Sequence, residues 1–83
     1  MLDNSYWQIP QHTFEGLQRY FEERIPTGDF LYAVLTNNLF LAIGRADDKN
    51  LQKIKEICGF IYNELPSGTW GNKEKVENWL RKE

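Results

Sequence analysis

One stretch narrows the possible folds of this chain more than any other. It is Phe30 to Ile43, FLYAVLTNNLFLAI, in which eleven of fourteen residues are apolar. The exceptions are Thr36, Asn37 and Asn38, so the run is apolar at both ends and polar in the middle. Such a segment has to be covered, and the rest of the chain consists of amphipathic pieces able to close over it. Its halves are too short to span a bilayer. Neither half alternates polar with apolar residues, as a half-buried strand would. Phe30, Leu31, Val34 and Leu35 form a wide helical face instead, and Leu39, Ala42, Ile43 and Ala46 recur at three and four. The spacing predicts two short helices, or one with a kink, at Asn37-Asn38. The alternative is α+β, with a hairpin over 30–43 about an Asn-Asn turn.

The flanking pieces read as helices too. Residues 1–9 have no period and are expected to form an extended arm, with residues 10–83 as the helical body. Pro10 suits the first turn of a helix in which Phe14, Leu17 and Phe21 share a face. Ile25-Pro26-Thr27-Gly28 ends that helix, Thr27 can cap the next, and Asp29 favours its positive end. Asp47 or Asp48 can cap a long helix whose stripe is Leu51, Ile54, Ile57, Cys58, Ile61 and Leu65, stopped by Pro66. Phe60 falls nearly opposite that stripe, so it needs another partner: the arm, a second subunit or a ligand. Asn72 can cap a last helix with Val76, Trp79 and Leu80 on its apolar edge and Arg81 and Lys82 at its negative end. The expected fold is therefore all-α, a compact bundle of four to five short helices in a single domain over 1–83. Its core is expected to include Phe14, Leu17, Phe21, Leu31, Val34, Leu35 and Leu39, joined by Ile43, Ile54, Ile57, Cys58, Ile61 and Trp79.

Composition argues against several function classes. Eighty-three residues support one small core, and a single cysteine forms no intrachain disulfide. One histidine and one cysteine do not make a zinc site, so no metal and no cofactor is expected. Self-association is one way for so small a core to gain stability, and a homo-oligomer is expected. The net charge is −2, divided as −4 over residues 1–48 and +2 over 49–83, far from the basic footprint of a duplex-DNA binder. Met1 to Pro10 lack a basic start and an apolar run, so the sequence reads as cytoplasmic, without a membrane partner.

No catalytic constellation stands out. His12 has no partner nearby in sequence, and Cys58 sits between Ile57 and Ile61, where a structural thiol is expected. Asp47-Asp48 is explained by capping. The most suggestive set combines amides, a guanidinium and rings at element ends: Asn37, Asn38, Arg45 and Asp47, with Asn50, Tyr62, Asn63 and Trp70. Such groups can stack on a flat ligand and bond its edges, nucleotides being the obvious class. A second set, Tyr6 and Trp7 of the arm with Phe60, is a candidate protein interface.

The blocks IPTGDFLYAVLTNNL, RADDKN, YNELP and WGNKEKVENWL are residues 25–39, 45–50, 62–66 and 70–80. They resemble a group of small phage and prophage proteins with the pattern IP-x-G-x-FL-x-AVL-x-N-x-L, RAD-x-x-N, YN-x-x-P and WG-x-x-E-x-V-x-x-WL. The group often carries an acidic residue where this chain has Asn38. The resemblance implies a phage origin and a protein that acts by binding in a host cell. It implies no activity and assigns no site residue. Joined to the ring-and-amide set, it leads us to expect a non-enzymatic, phage-encoded binding protein that counters host antiviral defence by sequestering a nucleotide-like signal. The alternatives are a module that occludes a host defence protein and an accessory to phage nucleic-acid metabolism.

Overall fold

The computed structural model describes residues 2–81; Met1, Lys82 and Glu83 lie outside that range, and with them the expected place of Lys82. Helix α1 runs Gln11–Glu23 and buries Thr13, Phe14, Leu17 and Tyr20, one stripe at helical spacing. Pro10 stands just before the helix rather than in its first turn, and its carbonyl accepts the Phe14 N–H at 2.9 Å. The helix stops where Arg24 turns left-handed at φ 55° and gives its N–H to the Tyr20 carbonyl.

The apolar stretch forms two helices, α2 (Asp29–Leu35) and α3 (Leu39–Arg45). Gly28, not Thr27, holds the cap position of α2, and no side chain bonds there. Between the two helices Asn37 is left-handed at φ 64°. Its N–H reaches the Val34 carbonyl at 3.1 Å, and the Asn38 N–H reaches Ala33 at 2.8 Å. This is the Schellman arrangement, and asparagine is one of the few residues that accept it. The Asn38 Oδ1 then accepts the Leu41 N–H and caps α3. Two polar residues thus end one helix and start the next, and no strand occurs among the described residues.

Asp47 caps α4 (Asp48–Gln52), taking the Asn50 N–H at 2.8 Å. The long helix expected from Leu51 to Leu65 is broken at Lys53, so that α5 runs Ile54–Glu64. Leu65 is extended ahead of Pro66, a 3₁₀ turn follows at Ser67–Thr69, and α6 runs Lys73–Arg81 with Asn72 Oδ1 on the Lys75 N–H. The described residues therefore hold six α-helices, more than the four or five expected.

The core draws on α1, α2, α5, α6 and the arm. The arm is a turn rather than an extended segment. The Asn4 side chain brackets Ile9, donating to its carbonyl at 2.9 Å and accepting its N–H at 3.0 Å, which tucks Leu2 and Ile9 into the core. The C-terminal end is stapled on by three bonds: Tyr20 Oη to the Thr69 carbonyl, Trp79 Nε1 to the Tyr20 carbonyl, and the Gly71 N–H to Leu35. The Trp79 ring also stacks on Phe21 and carries the Arg24 guanidinium 4.1 Å from its centroid.

Part of the expected core lies elsewhere. Leu39, Ile43 and Cys58 are exposed, and Ile54 is half-buried. Phe60 is fully buried, edge-on to Phe14 and Trp7. Ile57, Phe60 and Ile61 stand at i, i+3 and i+4 on α5 and turn inward together. Helix α3 turns only Ala42 inward, against α2, and leaves its large side chains outside.

Candidate functional site

The residues expected to form one ligand site divide between two clefts. The first, of about 320 Å³, lies where α1, the start of α2 and the α3–α4 junction meet. It gathers Arg45, Asp47 and Asn50 from the expected set and adds His12, Arg19 and Phe30. The Thr13 hydroxyl donates to Asn50 Oδ1 at 2.5 Å, a buried bond tying α1 to α4. With Oδ1 so engaged, the two donors of Asn50 Nδ2 have no protein partner among the described residues, and the amide lines the cleft. Arg45 is only loosely held, 4.0 Å from the exposed Asp29 carboxylate. A surface pair at that distance is worth little, about 0–1 kcal/mol, and leaves the guanidinium open to a better partner. Gly16 lets the two walls approach, since a Cβ there would meet Leu31 Cδ1 at 3.1 Å.

The second cleft, of about 390 Å³, brings Asn37, Tyr62 and Trp70 together over Val34 and Ile61. The two rings are tilted at 5.7 Å, and Trp70 Nε1 donates to the Leu65 carbonyl. Cys58, exposed as a residue, also lines this cleft, and partial desolvation of its thiol pushes the thiol up.

The remaining expected residues join neither cleft. Asn38 caps α3 beside a hollow shared with Phe40 and Lys73. Asn63 gives its amide to the Gly59 carbonyl at 2.8 Å, near Tyr6 and Trp7. The proposed interface of Tyr6, Trp7 and Phe60 does not form as such. Tyr6 is exposed, Trp7 is half-buried with its indole nitrogen on Glu64, and Phe60 is inside the core. The Arg19 contribution was missed, yet His12, Gly16 and Arg19 stand at i, i+4 and i+7, one face of α1.

Among the described residues no three His, Cys, Asp or Glu side chains group as a metal-holding set, and no helix is long and apolar enough to cross a membrane. Comparison with protein-family models, with curated proteins and with solved structures finds no match to this chain.

Proposed function

We propose that this chain acts by holding a phosphorylated, ring-bearing small molecule of the nucleotide class in the cleft between Arg19 and Arg45. The observation that carries the reading is that Arg19 of α1 and Arg45 of α3 line one cleft with Asn50 and Phe30. Arginine matches phosphate oxygens with paired donors, and a dianion outbids a carboxylate held at 4.0 Å. Phe30 or His12 offers a flat face to a base. Asp29 and Asp47 supply acceptors for sugar hydroxyls or base amines. A volume of about 320 Å³ lies at the lower end of ligand-pocket sizes, roughly 300–1,000 Å³. The resemblance to small phage proteins supplies the setting: a non-enzymatic protein that withdraws a nucleotide signal from a host defence system.

Thermal denaturation against a panel of linear mono- and dinucleotides, cyclic mononucleotides and cyclic dinucleotides tests this. A ligand at about 100 times its Kd stabilises by about 2.7 kcal/mol. That raises Tm by on the order of 10 °C in a domain of this size. Arg45→Ala and Arg19→Ala are expected to abolish the rise while leaving the unliganded Tm within a few degrees, since both side chains are exposed. A panel in which nothing raises Tm at millimolar concentration overturns the reading.

A further inference from the structure

Much of the apolar surface of α3 is left uncovered by the described residues. Leu39 is 65% exposed, Phe40 88% and Ile43 41%, and at 3.6 residues per turn these three share one side of the helix, while Leu41, 44% exposed, falls on another. Taking roughly 200 Å² for each large side chain, these three and Tyr62 of the neighbouring cleft, 72% exposed, amount to roughly 500 Å² of exposed surface. An ordinary interface buries about 800 Å² on each partner, and about 65% of that is apolar in homodimers. The α3 face and the cleft beside it together thus approach the apolar requirement of one homodimer interface.

We infer that this face is covered by a second copy of the same chain, with Phe40 of each copy entering the Tyr62–Trp70 cleft of the other. The projection and the hollow are neighbours on one surface: Asn37 lines both the hollow that Phe40 borders and the Tyr62–Trp70 cleft. A two-fold axis close to Asn37 therefore satisfies both copies at once, as an isologous interface requires. The cleft is large enough, since an apolar cavity of about 150 Å³ already takes a benzene ring and this one measures about 390 Å³. Val34 and Ile61 line it, and the tilted Tyr62 and Trp70 rings offer edges and faces to a third ring. Charge permits the meeting as well. Each copy carries −2 overall, but Thr36 to Gly44 contains no charged residue, and the hollow that Phe40 borders adds a single charge, Lys73. The nucleotide reading does not bear on this surface, because the Arg19–Arg45 cleft shares none of these residues.

Light scattering on the purified chain between 1 and 100 µM, as rough bounds for a standard interface, provides the test. A mass about twice 9.9 kDa is expected. Phe40→Asp and Tyr62→Ala each weaken the dimer at least about 30-fold, the loss of one buried ring at an interface centre. Both positions are exposed in the single chain, so far-UV circular dichroism should show the monomers still helical. Ile25→Asp, an exposed apolar position away from the face, leaves the dimer intact. A wild-type monomer at 100 µM overturns the inference, whether or not a foreign protein or peptide then occupies the face. So does a dimer that survives Phe40→Asp, or one lost equally with Ile25→Asp.

Discussion

The Trp7 indole lies so close over Gly59 that a Cβ at position 59 would fall 2.8 Å from its Cζ3. The arm is held on α5 by this contact, by the edge-on approach of Trp7 to Phe60, and by the bond from Trp7 Nε1 to Glu64 at 3.2 Å. Glycine in mid-helix costs about 1 kcal/mol against alanine, and here the cost admits the indole. Gly59→Ala is therefore expected to lower stability by about 1 kcal/mol, lost indole burial outweighing the helix gain. In a Trp7→Ala background the sign reverses, and the same substitution stabilises by about 0.5–1 kcal/mol. Urea denaturation of the four proteins checks the reversal.

The buried bond between Thr13 and Asn50 gives a second expectation. Asn50→Ala leaves the Thr13 hydroxyl buried without its partner and is expected to cost about 1–3 kcal/mol. Thr13→Val/Asn50→Leu removes both polar groups and should recover most of that. Equal losses in the single and the double variant would show that the bond does not matter.

Tyr20 links stability to alkaline pH. Burial pushes its phenol up to about 12, and its hydroxyl donates to the Thr69 carbonyl at 2.7 Å. A folded-state pKa above the unfolded value near 10 contributes stability that is whole below pH 10. That contribution is lost as pH rises from about 10 through about 12. Tm should fall over this window, and less steeply in Tyr20→Phe. Phenolate absorbance should show one tyrosine ionising late, absent from the variant.

Phe40 and Phe60 separate what spacing suggests from what packing does. Phe60→Ala empties a fully buried site and is expected to cost about 3–5 kcal/mol. Phe40→Ala, at a position 88% exposed, should leave monomer stability within about 0.5 kcal/mol. Chemical denaturation at a concentration where light scattering reads the monomer mass measures both.

What could be read along the chain was what neighbours three or four residues apart decide. The Asn37-Asn38 break, the caps at Asp47 and Asn72, and the stop before Pro66 all stand where the sequence places them. Each depends on a bond from a side chain or backbone group to the next turn, and the helical class follows from them. Thr27 failed as a cap because Gly28 is the residue that takes the extended conformation before α2.

The candidate site was half legible. Arg45, Asp47 and Asn50 lie within one turn or so of each other in sequence, and they share a cleft. Tyr62 and Trp70 also meet, but around Asn37, in a different cleft. Which helices would wall each cleft was decided by how distant segments pack, and no local period records that. The same holds for α3. Its spacing demanded a cover for Leu39 and Ile43, but the left-handed turn at Asn37 lays the helix on α2 through Ala42. The sequence by itself determined where helices begin and end, because hydrogen bonds across one turn are local. Only the tertiary structure decided which face of each helix is wet, because that depends on the direction in which each break sends the chain.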